Sequence, residues 1–165
     1  MKSILVLLAT LCFTMQSLDL NSIRDAYKDA AQDKTKTEAF YNALKKVTKK
    51  NKVELVAYKG AAIALVSKQA ITLKEKKEGF IEGVTLVEYA ITKAPNNIEV
   101  RFIRLGIQEN TPKLLKYKDN IEKDKLFILK QYKNISSSHL KNHIKDYILQ
   151  SKAFTDEEKT LILDS

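Results

Sequence analysis

The sequence predicts an all-α protein of stacked antiparallel helical hairpins or an irregular helical bundle, with about seven or eight helices. Three observations carry that expectation. Apolar residues recur every three to four positions along most of the chain, the period of a helix with one buried face. Helix breakers are scarce, with 4 Gly and 2 Pro in 165 residues, so little interrupts a sequence rich in good helix formers. No segment alternates apolar and polar side chains with the period of two that a half-buried strand requires. The length suits one domain with a sizeable core, expected over residues 18–165.

Residues 1–17 read differently. Lys2 supplies a positive start, residues 4–13 are an apolar run, and polar residues with the small Ser17 follow. This is the layout of a signal peptide, and the run is shorter than the ~20 residues needed to span a bilayer. Export is therefore expected, to a bacterial periplasm or beyond. Cleavage would remove Cys12, the lone cysteine, and with it any thiol or disulfide chemistry. Lipid attachment at Cys12 would call for a small residue before it, where Leu11 stands.

Along the remainder, Leu20, Ile23, Tyr27 and Ala30 space a helix over residues 19–31. Thr35 and Glu38 have the capping-box spacing for a second helix, with Phe40, Leu44 and Val47 on its inner face. That helix runs into Lys45, Lys46, Lys49, Lys50 and Lys52. These lysines suit the negative end of a helix dipole before a restart capped by Asn51; the other reading is a patch for polyanions. Residues 51–73 are apolar nearly all round, as in a central helix packed on several sides, and Glu54, Lys59 and Lys68 argue against a membrane span. Residues 74–78 are expected to form a polar connection.

Residues 79–112 then form a helical hairpin. Its first arm presents Phe80, Val84, Val87 and Ile91, with Gly83 and Ala90 small enough for a neighbouring helix to come close. Pro95 ends the arm, Asn97 caps the next, and Glu99 suits the positive end of the new dipole. The second arm turns Ile98, Phe102 and Leu105 inward until Pro112 stops it. After a short helical turn at 113–117, Asp119 or Asn120 opens a helix with Ile121, Ile128 and Tyr132 aligned. A serine-capped loop at 134–138 leads to a helix bearing Leu140, Ile144, Tyr147 and Ile148. Thr155 and Glu158 box the start of a terminal helix.

The run from Ala90 through Pro95 to Glu99 resembles the junction between tetratricopeptide repeats, where a small residue five positions before a proline closes one helix pair. Leu105-Gly106 is similar to the Leu-Gly pair of that motif but sits one residue late. Stepping back about 34 residues from Pro95 finds no second proline or aromatic in phase. The stretch from Ala94 to Arg104 is also similar to secreted helical bacterial proteins without an assigned activity. The resemblance implies location and fold, and no mechanism.

The formal charge of +9 raises the question of nucleic acid. Of 29 basic residues, however, only Arg24, Arg101 and Arg104 are arginine, the residue whose planar fork reads phosphates geometrically. A solvated lysine surface is the expectation, with no specific nucleic-acid partner. His139 and His143 lie one helical turn apart with Asp146 beyond. The metalloprotease glutamate is missing between them, and Lys141 and Lys145 would oppose a cation, so an ordinary exposed face is expected over a zinc site. Arg101 and Arg104, also one turn apart, suit either ion pairs that lock the hairpin, with Glu82, Glu88 or Glu109, or an anion site. No phosphate loop or nucleophile elbow is present in the sequence. No catalysis, cofactor or metal is therefore assigned. The expected function is binding of a protein or peptide partner, with Tyr89, Arg101, Arg104 and Tyr117 as candidate surface contacts. The alternative is polyanion binding, to phosphate-rich lipid or nucleic acid, through the lysines of residues 45–52.

Overall fold

The computed structural model describes residues 18–164, and the expected signal peptide lies outside the described residues. Among the described residues the chain is all-α, with eight α-helices and no strands. They are α1 (Leu20–Gln32), α2 (Thr37–Leu44), α3 (Val53–Ser67), α4 (Leu73–Lys93), α5 (Ile98–Glu109), α6 (Ile121–Gln131), α7 (Ser138–Gln150) and α8 (Asp156–Leu163). Short 3-10 turns precede α2 and α6 and follow α6.

Side-chain caps set five of the eight α-helix starts among the described residues. Asn97 accepts from the Glu99 and Val100 amides and starts α5; Thr155 and Glu158 box the start of α8. Both were legible in advance. The start of α2 was not: Asp33, rather than Thr35, accepts from the Thr35 amide at 2.9 Å and opens the 3-10 turn that runs into the helix. Nor does Asn51 cap α3. Its side chain turns back to the Thr48 amide at 2.8 Å, and α3 starts after Lys52 without a side-chain cap. The negative end of α2 is met from the next helix, where the Lys59 ammonium donates to the carbonyls of Lys45 and Val47. Residues 74–78, expected as a connection, are helical. A capping box of Thr72 and Glu75 starts the 21-residue α4 there, and the charged residues after it form exposed helical turns.

Helix α3 is the apolar centre, as expected, with Leu55, Val56, Ala57, Tyr58, Ala61 and Ala62 all buried. It crosses α4 almost backbone to backbone. A Cβ on Gly60 would stand 2.5 Å from the Gly83 carbonyl oxygen, and one on Gly83 would stand 2.5 Å from the Gly60 oxygen. Real side chains do not approach a carbonyl so closely, so this crossing requires glycine on both helices. The core then runs on without interruption from Ile23 to Ile162.

Helix α5 is buried nearly all round as well. Nine of its 12 residues are buried, Glu99, Arg101 and Arg104 among them. Its spacing of Ile98, Phe102 and Leu105 suggested a single inner face. The other half of its environment is polar.

Candidate functional site

Arg101 and Arg104 leave α5 toward Asp124 on α6, which is 0% exposed. Arg101 donates to one oxygen of Asp124 at 2.7 Å, and its Nε donates to the Pro95 carbonyl at 2.6 Å. Arg104 grips the same carboxylate with Nε at 2.7 Å and a terminal nitrogen at 2.8 Å. Its other terminal nitrogen donates to Glu88 on α4 at 2.9 Å, and the Tyr117 hydroxyl donates to the second oxygen of Glu88. Burial works against the charge of Arg104, but the bonds to Asp124 and Glu88 outweigh it and hold its pKa above the ordinary value. Burial and the Glu88 bond likewise raise the Tyr117 phenol.

The two arginines were expected either as surface contacts or in ion pairs that lock the hairpin; they are buried in ion pairs, with Glu88 among the partners as expected and Asp124 in addition. The physical reason is Asp124: a buried carboxylate needs charged donors on both oxygens, and a guanidinium fork supplies them. Tyr117 is half-buried, its ring edge-on to Phe80 at 5.8 Å. Tyr89 is also half-buried, with the Lys49 ammonium 4.7 Å and the Lys93 ammonium 5.7 Å from its ring centre.

A second buried network went unforeseen. Arg24 on α1 donates through Nε at 2.8 Å and a terminal nitrogen at 2.7 Å to the two oxygens of Glu99 on α5. The Tyr58 hydroxyl on α3 adds a third bond to Glu99 at 2.9 Å. The Glu99 bonds raise the Arg24 pKa, and burial drives the Tyr58 phenol well above its ordinary value. All three arginines of the chain therefore sit in buried ion pairs. That was the usable signal: in a chain so rich in lysine, each arginine marks a place where lysine will not do.

Glu109 at the end of α5 accepts from the Tyr147 hydroxyl at 2.6 Å, the Ser151 hydroxyl at 2.8 Å and the Lys152 amide at 2.7 Å. These bonds tie α5 to the end of α7 and leave a cleft of about 150 Å³ between α1, α5 and α7. Tyr27, Phe102, Gly106, His143 and Tyr147 line its inner part, and Lys28, Asn110, Asp146 and Gln150 its lip. A Cβ at Gly106 would come within 3.0 Å of the Tyr27 hydroxyl, so the missing side chain lets that hydroxyl reach over α5. Burial alone raises the pKa of the Tyr27 phenol.

His143 is 7% exposed, and its Nε2 is buried without a partner. Its ring stands edge-on to Phe102 at 5.1 Å and 6.3 Å from the Tyr27 ring. Burial, with help from the positive charge of Lys28, lowers its pKa to about 4. His139 takes the other direction and faces Asp25 at 3.1 Å. The one-turn histidine pair is thus split, one ring into the core and one toward a surface carboxylate. Among the described residues there is no cluster of three or more His, Cys, Asp or Glu placed to hold a metal.

No family model, curated protein or solved structure matches the chain. What the arrangement can do therefore follows from the clefts alone. A smaller one of about 90 Å³ shares Tyr27, Ala31, Gly106 and Asn110 with the first. A shallower groove of about 320 Å³ passes Tyr41, Val66, Ala70 and Gly79, and none of the unpartnered buried polar atoms lines it. The lysines of residues 45–52 are all exposed.

Proposed function

We propose that the mature chain is an exported helical scaffold that binds a peptide or protein partner in the bacterial envelope. The cleft between α1, α5 and α7 would take one anchor side chain of that partner. The observation that supports this most directly is the buried, unpartnered Nε2 of His143, set beside Tyr27 in a cleft of about 150 Å³. Sites for whole metabolites usually enclose ~300–1,000 Å³, so the space suits a side chain. An aromatic floor with a lip of Lys28, Asp146 and Gln150 has the make-up of a small anchoring pocket at an interface. The hairpins α3–α4 and α5–α6, read as a loose tetratricopeptide-like stack, would carry the rest of the partner along their grooves.

The test is selection of displayed peptides on the purified protein, followed by titration against an Ala31→Trp variant. Ala31 is exposed and lines both adjoining clefts, so an indole there blocks the mouth without entering the core. Binding should fall at least ~30-fold, the scale of a lost anchor, with the helical spectrum unchanged. Undiminished binding would remove the cleft from the account. For location, the amino terminus of the product recovered from the envelope should begin near residue 18; a cytosolic product retaining residues 1–17 would contradict export.

A second reading, polyanion binding through Lys45, Lys46, Lys49, Lys50 and Lys52, is supported by their common exposure. Salt separates the two, because counterion release makes polyanion binding weaken steeply with ionic strength.

A further inference from the structure

One end of the molecule gathers its most exposed aliphatic side chains. Ile71 is 95% exposed, Leu114 88% and Leu73 85%. Ile71 and Leu73 lie where α3 turns into α4, and Leu114 lies in the turn after α5. These turns are neighbours. Lys68, Phe80, Asn110 and Thr111 line one cleft, and the Tyr117 ring meets Phe80 at 5.8 Å. The Gln69 amide donates to the Lys34 carbonyl at 3.0 Å, which brings the α1–α2 turn to the same end.

The exposure is held in place by structure on both sides. The Thr72 hydroxyl and Glu75 carboxylate cap the α4 backbone, fixing the residue between Ile71 and Leu73. Lys116 closes the other turn in the left-handed region at φ 47°, with its amide on the Lys113 carbonyl. Side chains other than glycine seldom adopt that conformation.

Around the three aliphatics stand Lys68, Lys74, Lys76, Lys77, Lys113 and Lys116, all exposed. The nearby acids are fewer. Glu75 is occupied by the cap, Glu78 lies 3.9 Å from Lys74, and Asp119 is exposed. Aliphatic tips ringed by cations complement a surface that is apolar below a layer of negative charge. The lysine segment 45–52 lacks this combination, since its one large aliphatic, Val47, is buried.

We propose that this end docks on an anionic lipid surface, with Ile71, Leu73 and Leu114 entering the headgroup layer and the surrounding lysines meeting lipid phosphates. The contact is peripheral: among the described residues no helix is long and apolar enough to cross a membrane. It is independent of the cleft at Tyr27 and His143, so either can fail alone.

The chain contains no Trp, so Leu73→Trp in the full chain installs a single local reporter. With vesicles of mixed phosphatidylglycerol and phosphatidylcholine, the indole emission should shift to the blue and be quenched by brominated acyl chains. Phosphatidylcholine alone should leave it unchanged, and added salt should reverse the shift. The double variant Ile71→Ser/Leu114→Ser should weaken partition to the anionic vesicles at least ~10-fold, as should Lys76→Glu/Lys77→Glu. An indole that stays in water on anionic vesicles overturns the proposal. So does loss of its blue shift on Lys45→Glu/Lys49→Glu but not on the variants at this end.

Discussion

Helix α3 meets its neighbours through Gly60, Ala61, Ala62 and Ala64 and buries no charged residue, whereas α5 buries Glu99, Arg101 and Arg104. Both are internal helices, and opposite chemistry puts them there. In α3 the side chains are made small enough for α4 to lie against its backbone. In α5 each buried charge is matched by a partner from another helix: Arg24 on α1, Tyr58 on α3, Glu88 on α4 and Asp124 on α6. Close packing on glycine fixes a distance between two helices. The paired charges of α5 fix the positions of four others relative to it, because an unpaired charge in the core is costly. One helix supplies proximity and the other supplies register.

The sharpest way to break this comparison is Asp124→Ala, which removes the carboxylate shared by two buried guanidiniums and leaves Arg101 the Pro95 carbonyl and Arg104 the Glu88 carboxylate. A loss of about 3–5 kcal/mol in urea unfolding is expected. A loss within the range of a surface substitution would mean that α5 is not held by its charges. Replacing the network together, as in Asp124→Leu with Arg101→Met and Arg104→Met, should restore much of that stability. Recovery would separate the cost of an unpaired charge from the worth of the pairs.

The next effect depends on pH and belongs to the α5–α7 side. His143 is held neutral, with a folded pKa of about 4 against about 6.5 unfolded. Its contribution is complete above the unfolded value and is lost as pH falls toward the folded one, because the unfolded chain takes up the proton first. Between pH 7 and pH 4 that removes up to about 3 kcal/mol. His143→Phe should flatten this part of the stability profile; an unchanged slope would place the titration elsewhere.

On the α3 side, Gly60→Ala drives a methyl group into the Gly83 carbonyl and should cost about 1–3 kcal/mol, despite the better helix propensity of alanine. A neutral or stabilising result would show that the crossing has room to spare. The smallest effect tests the caps. Asn97→Ala removes the two bonds that start α5 and should cost about 1 kcal/mol, whereas Lys52→Ala at the uncapped start of α3 should change stability by less than about 0.5 kcal/mol.

The same contrast decides what was legible in the sequence. Apolar runs announce their own burial, so α3 and the Gly83 contact could be read from spacing. Pro95, Asn97, and Thr155 with Glu158 act within a few residues, and their effects were readable too. Helix α5 was half-legible because a charged residue signals the surface unless its partner is known. Asp124 is 20 residues from Arg104, and Glu99 is 75 from Arg24; nothing local connects either pair. For the same reason the cleft at Tyr27 and His143 was hidden. His143 gave a helical spacing with His139, but that spacing carries no information that α1 and α5 close over one ring and leave the other facing Asp25. The capping box of Thr72 and Glu75 was present in the sequence and was masked by the lysines and glutamates around it.

Hydrogen exchange of the full chain under native conditions tests the central claim most directly. If paired charges bury α5 as securely as packing buries α3, the amides from Phe102 to Leu105 should exchange as slowly as those from Ala57 to Ile63. Both sets should open only with the whole fold. Exchange in α5 that proceeds by local opening, at a free energy well below that of α3, would contradict the account.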